Sequence, residues 1–334
     1  MSSLNEIVNS RRLIGGEPDK LMCVSPLKHK WAFDIIDVME ANTWFPQKID
    51  LSGDVLCYRF QLTDAERRMY DKALAFLSNL DGMQFQNLTV NLGKYITSPE
   101  VQGAVQRQAW EEFVHVRSYA KLIEAVSLDP MKVYMTFQED PILAEKNDLI
   151  LRQAELIGHD YSPRNFAMAV INNICLEGIY FFSGFLSFYV LGKNGKMTGS
   201  ADMIRYIQRD EQGTHLVLFL HMLRTLQEEN PEIFDAQFWL DARELMKSAV
   251  ELEAAWGKHI ISGGVLGMSD RIVDDYMKHL GNKRAIEMGM EELYPGVKNP
   301  VPWVESFAGI GKKKVEKNFF EGKVTDYSKG QVEW

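Results

Sequence analysis

Four long segments of this chain repeat apolar residues at helical spacing, and each sets an acidic side chain inside its apolar stripe. Such a chain folds as helices packed on helices, and it has to satisfy carboxylates in its interior. The first segment opens on a capping box, Thr63 with Glu66 three residues on, and is predicted to run to about Ile96. Asp81 lies on its apolar face, between Leu77 and Leu88. The second, about Pro99 to Val126, aligns Glu112, His115 and Tyr119 with Val105, Ala109 and Leu122. The third, about Pro163 to Leu191, is the most apolar, and Glu177 is the one acid on its stripe. The fourth, about Ala201 to Gln227, places Glu211 and His215 with Ile204, Ile207, Leu218 and Phe219.

An ionised carboxylate buried alone costs several kcal/mol, so each of these acids needs a salt bridge or a cation. A single Glu and His one turn apart is a common tetrapeptide, ordinarily a hydrogen-bonded core pair. Here the pairing occurs twice, as Glu112 with His115 and as Glu211 with His215, alongside Asp81 and Glu177. One carboxylate from each of two helices and a Glu–His pair from each of two others is the donor pattern of ferritin-like dimetal proteins. Two divalent cations cancel four carboxylates, and carboxylate with imidazole suits iron or manganese better than a structural zinc. The expected fold is therefore all-α, a ferritin-like helical bundle with a dimetal-carboxylate site in its core. Asp210, just before Glu211, points in a neighbouring direction suited to a hydrogen bond with a ligand histidine. Phe181 and Phe185, four and eight residues after Glu177, would form a dry aromatic wall beside the site.

The rest of the chain excludes other classes. A net charge of −9 over 334 residues, with Lys312, Lys313 and Lys314 the only basic run, argues against a nucleic-acid surface. Cys23, Cys57 and Cys175 have unrelated spacings and read as buried thiols of a reducing compartment. The N-terminus lacks the pattern of a signal peptide and no uninterrupted apolar run approaches about 18 residues, so a cytoplasmic protein off the membrane is expected. A helix is expected around Lys28 to Ala41, then Trp44 at a helix-to-loop transition before Pro46; taken alone, Trp44 reads as core packing. Asp129-Pro130 and Asp140-Pro141 punctuate shorter helices, His159 reads as a loop residue, and His221, His259 and His279 read as non-ligands. Periodicity collapses after Trp303, yet the end of the chain holds Phe319, Phe320, Tyr327 and Trp334, more aromatic content than a solvated tail needs.

On these residues the chain resembles, over almost its whole length, the small, radical-generating (beta) subunit of class I ribonucleotide reductase. That family has Asp as first ligand, as at Asp81, and a tyrosine four residues after the first histidine, as at Tyr119. Its pocket around that tyrosine is matched by Phe181, Phe185 and Ile207, and its further signature positions by Trp44, Asp210, Trp303 and Tyr327. The resemblance implies metal ligation by Asp81, Glu112, His115, Glu177, Glu211 and His215, with two irons foremost and manganese or a mixed pair as variants. It implies dioxygen activation, a stable radical on Tyr119, and transfer by way of His115, Asp210, Trp44 and Tyr327 to a cysteine of a separate large subunit, where ribonucleotides are reduced. Residues 1–303 would be the radical-generating domain and 304–334 a flexible tail that binds the large subunit. A homodimer is implied, and an activating flavoprotein if the metal is manganese. No Gly-rich phosphate loop is present, in keeping with a nucleotide site carried elsewhere.

One departure stands out. The family spaces its second Glu and His three apart, whereas Gln212, Gly213 and Thr214 separate Glu211 from His215. A π-bulge eased by Gly213 is the expected accommodation. The competing readings are another ferritin-like dimetal oxidase, such as a desaturase or ligand-binding oxidase, and a metal-storage or structural helical protein. Tyr119 and the aromatic tail speak against the first, and Trp44, Asp210 and Tyr327, which storage would not need, against the second.

Overall fold

The computed structural model describes residues 3–309. Among these the chain is helical, and the one β contact is an isolated bridge between Ile14 and Ile96. After a short α1 (Leu4–Asn9), an irregular arm leads to α2 (Lys30–Ala41). Arg11 fastens the arm to the body through Glu100 at 2.9 Å. Trp44 follows the end of α2, before a 3-10 turn at Pro46–Lys48 and α3 (Ser52–Phe60).

The ligand-bearing helices follow. In α4 (Asp64–Gln86) the predicted capping box is present in both directions, Thr63 to Glu66 and back. The rod continues as a π-helical stretch, Asn87–Leu92, and a 3-10 turn, Gly93–Tyr95, so it ends where the pattern places it, with a changed winding. Helix α5 (Pro99–Val126) has the predicted ends, with Ser98 capping the amide of Val101 and Pro99 in the first turn, where its missing N–H is harmless. It packs along α4 and beneath α2.

Two shorter helices, α6 (Pro130–Glu139) and α7 (Pro141–His159), lead to the apolar core rod. His159 is the last residue of α7 and exposed, where a loop was expected; Pro130 and Pro141 each open a helix, so the two Asp-Pro pairs punctuate the chain as expected. The rod comprises α8 (Pro163–Cys175), a π-helical turn at Leu176–Tyr180, and α9 (Phe182–Lys193). By length and hydropathy Pro163–Lys193 could cross a bilayer, contrary to the expectation from uninterrupted runs, but its most apolar window is wholly buried inside the protein. It is the central helix of the bundle. Next come α10 (Thr198–Asp210), the π-helical turn Glu211–His215 and α11 (Leu216–Glu229), so the predicted bulge falls on the predicted residues.

Helices α12 (Ala236–Ile260) and α13 (Asp270–Glu287) close the bundle over α8 and α9. Gly257 permits this: a Cβ there would lie 2.6 Å from Val273 Cγ1 and 2.9 Å from Ser183 Cβ. The chain then continues past residue 303 as α14 (Trp303–Phe307), where Phe307 packs edge-on against Tyr189 at 5.5 Å. Of the thiols, Cys57 and Cys175 are buried as expected, but Cys23 is half-buried, because it lies in the loosely packed arm. Tyr327, Phe319, Phe320, Trp334 and the lysine run lie outside the described residues.

Candidate metal centre

The four stripes meet at one place. Asp81 from α4, Glu112 and His115 from α5, Glu177 from the turn between α8 and α9, and Glu211 and His215 from the turn between α10 and α11 are all without solvent exposure. Ligand atoms of Glu112, His115, Glu211 and His215 lie within 4.8 Å of one another. Glu211 spans the two imidazoles, with Oε1 2.9 Å from His115 Nδ1 and Oε2 2.7 Å from His215 Nδ1. Glu112 does the same at longer range, 3.5 Å to His115 and 3.2 Å to His215. Asp81 Oδ2 stands on the His115 side, 3.6 Å from Nδ1.

Both imidazoles turn Nδ1 inward and hold Nε2 against an outer carboxylate. His115 Nε2 faces Asp210 Oδ2 at 3.3 Å, and His215 Nε2 faces Glu111 Oε2 at 2.9 Å. A carboxylate there accepts the Nε2 proton and leaves the Nδ1 lone pair for the interior. Beyond Asp210 stands Trp44, whose indole N–H donates to the same Oδ2 at 2.6 Å, while Arg209 holds Oδ1 at 3.0 Å. The Trp44 ring stacks on Tyr206 at 5.1 Å and lies 6.3 Å from the His115 ring. The hydrogen bond from Asp210 to a histidine, read from position alone, is therefore present, and Trp44 is more than packing.

Glu177 is held by two amides. Gln84 and Gln108 both donate to its Oε1, at 2.5 Å and 2.8 Å, so its Oε2 is left free. Gln84 is steadied in turn by Asn87 and Asn173. The sequence pattern assigns no part to Gln84, Gln108 or Glu111. An amide four residues before Glu112 is a weak signal, and Glu111 is masked by the acid beside it.

Both oxygens of Asp81, Glu112 Oε2, Glu177 Oε2, Glu211 Oε1, His115 Nδ1 and the Tyr119 hydroxyl are buried with no hydrogen-bond partner. By contrast Glu253, fully buried, pairs with Lys146. No Lys or Arg among the described residues pairs with any of the four central carboxylates. Ligands of one small divalent cation, bound at about 2.1 Å and at right angles, stand about 3 Å apart, which is the spacing seen around Glu211. The donor set thus fits two divalent cations.

Protonation follows the same crowding. Burial, then the charges of Glu112 and Glu211, holds Asp81 well above the usual carboxylate range. Burial and the charges of Glu211 and Glu112 raise Glu177 likewise. Burial would raise Glu211 too, but the two imidazoles outweigh it and hold its carboxyl below the usual range. Burial works against the charged forms of His115 and His215, yet the neighbouring carboxylates, Glu211 first, raise both well above the ordinary value. Tyr119 is fully buried, and burial, then the charges of Asp81, Glu211 and Glu112, pushes its phenol far up. Phe181 and Phe185 stack at 5.7 Å, fully buried, and Ile207 is equally dry.

A family model described as the ribonucleotide reductase small chain matches residues 21–300. The chain belongs to the ribonucleotide reductase small-chain family. A ribonucleoside-diphosphate reductase subunit beta of Treponema pallidum is 36% identical over 330 residues, covering 97% of this chain and 93% of its own. Another of that name, from Chlamydia pneumoniae, is 30% identical over 319 residues, 92% and 91% of the two chains. A solved ribonucleotide reductase R2 subunit from Clostridium botulinum superposes with a TM-score of 0.86 at 36% identity, covering 89% of this chain and 94% of that one. As a ribonucleotide reductase small subunit, the protein generates the radical with which the large subunit reduces ribonucleoside diphosphates to deoxyribonucleotides, and a desaturase or ligand-binding oxidase is not favoured.

Proposed function

We propose that Asp81, Glu112, His115, Glu177, Glu211 and His215 would hold two divalent cations. The observation that carries this reading is the pair of imidazoles, each with Nδ1 inward among shared carboxylates and Nε2 anchored outward. When bound and reduced, the two cations supply the electrons that activate dioxygen and the oxidising power the radical requires. Tyr119 is the residue oxidised: it gives up one electron and its phenolic proton. Phe181, Phe185 and Ile207 exclude water and reductants, and so lengthen the life of the resulting phenoxyl radical.

His115, Asp210 and Trp44 form the hydrogen-bonded start of the route by which the hole leaves. Tyr327 in the C-terminal segment continues it, and that segment docks the large subunit. The protein acts as a homodimer in the cytoplasm. Iron is the proposed metal; manganese or a mixed pair uses the same ligands, and manganese would call for a flavoprotein activator.

The test is electron paramagnetic resonance on metal-free protein given ferrous iron and then air, with Tyr119→Phe as control. A tyrosyl signal absent from the control supports both the residue and the metal. Two irons bound per chain without a signal would move the proposal to manganese, and a signal that survives in Tyr119→Phe would overturn the role of Tyr119.

A further inference from the structure

His215 reaches the centre from a π-helical turn, whose Glu211 contacts only the inner nitrogen of its ring. Gly213 is exposed, and a Cβ built there meets nothing within 4 Å, so the turn is unpacked on that side. The support comes from another helix. Glu111, on the long α5, accepts from His215 Nε2 at 2.9 Å and is only 4% exposed. Its other oxygen is held by Arg107 at 3.0 Å, one turn earlier on the same helix. Arg107 is itself fixed: it donates to Thr43 Oγ1 at 2.7 Å and to the Met39 carbonyl at 3.2 Å, and its guanidinium lies 4.4 Å over the Trp110 ring. A continuous chain of contacts thus runs from the end of α2 through Arg107 and Glu111 to the imidazole.

We infer that Glu111 is a positioning residue for His215, fixing the outer nitrogen of the ring so that Nδ1 faces Glu211, Glu112 and the metal position. The wide π-helical turn and the acid on α5 act together to set the ring. A turn with one more residue sets the histidine's Cα differently, and a hydrogen bond to the outer nitrogen from a rigid helix restores the direction of the inner one. Asp210, at the end of α10, does the same for His115 on α5, so each imidazole is held by a carboxylate from the other's helix. The inference rests on the dimetal reading above.

The experiment is an anaerobic Co(II) titration of metal-free, full-length protein, read by visible ligand-field absorption and by calorimetry, for wild type, Glu111→Ala and Glu111→Gln. Wild type is expected to take two ions per chain. Glu111→Ala should weaken one of the two affinities by about 10- to 100-fold and alter the visible band of that site alone, while Glu111→Gln, whose amide oxygen still accepts from Nε2, stays within about threefold of wild type. Unchanged affinities and band in Glu111→Ala would overturn the inference while leaving the dimetal reading intact. So would equal weakening of both sites, which marks a damaged fold, or a Glu111→Gln that behaves like Glu111→Ala. Wild type that takes up fewer than two ions would instead overturn the dimetal reading, and this inference with it.

Discussion

Asp210 Oδ2 receives the Trp44 indole N–H at 2.6 Å and faces His115 Nε2 at 3.3 Å, so one carboxylate oxygen joins a tryptophan near the surface to an imidazole without solvent exposure. If this is the route of the hole, breaking it should separate making the radical from using it. Asp210→Asn and Trp44→Phe are expected to retain two metals per chain and the Tyr119 signal. Nucleotide reduction with the large subunit should fall by about 10- to 100-fold or more. Radical yield by paramagnetic resonance and turnover, measured on the same preparation, check it; a parallel loss of both would place the two residues in assembly instead.

Tyr119→Phe should abolish the radical without harming the protein. The hydroxyl is buried and unpartnered, so its removal relieves a desolvated group, and stability should be unchanged or higher by about 1 kcal/mol. Thermal melts of the metal-free proteins decide this.

Glu177 has one oxygen occupied by two amides so that the other is free. Gln108→Leu removes one of those donors, and with it the donation to Glu112 at 3.1 Å. Metal affinity is expected to drop by about 10- to 100-fold, as for other residues that orient ligands. Equilibrium dialysis with Fe(II) or Mn(II) measures it.

Metal uptake should strengthen with pH. Asp81 and Glu177 are held above the usual carboxylate range and both histidines above theirs, so the metal-free centre retains protons that an incoming cation must displace. The sign for stability follows. The folded metal-free protein binds more protons than the unfolded chain above about pH 4 for these carboxyls and about pH 6.5 for the imidazoles, so its stability should fall as pH rises through that range. Glu211, lowered, contributes the opposite slope only in acid. Loading with metal should flatten the fall. Melting temperatures of chelator-stripped and loaded protein across neutral pH give the comparison.

Gly257→Ala puts a methyl group 2.6 Å from Val273 Cγ1, between α12 and α13, and should destabilise the protein by about 1–3 kcal/mol. Metal stoichiometry should be unaffected, since α12 supplies no ligand. A denaturant melt together with metal analysis tests both halves.

The central cluster was legible because a charged or imidazole side chain on an apolar stripe contradicts its surroundings, and four carboxylates and two histidines so placed can be read without coordinates. Tyr119 and Asp210 were legible for the same reason, as neighbours in helical projection. Glu111 was not: it follows Trp110 and precedes Glu112, and nothing in the local pattern tells an acid that reaches a histidine 104 positions away from one that reaches water. Gln84 and Gln108 were hidden because a buried amide looks like any polar residue at a stripe's edge. The π-helical stretches at Asn87–Leu92 and Leu176–Tyr180 were also missed, because a local change of winding barely disturbs an apolar pattern averaged over many turns. The third, Glu211–His215, was foreseen only because it shifted a spacing between two residues already singled out.

That third wide turn bears on how such genes change in length. One residue inserted into a regular α-helix rotates everything after it by about 100°, which would swing Leu218, Phe219 and Met222 out of the core. In this chain all three remain fully buried. The wide π-helical turn takes up its extra winding within five positions, and the α-helix that follows keeps its apolar face in the core. A wide turn of this kind lets a helix carry one more residue at a functional position and still deliver the same face to the core beyond it.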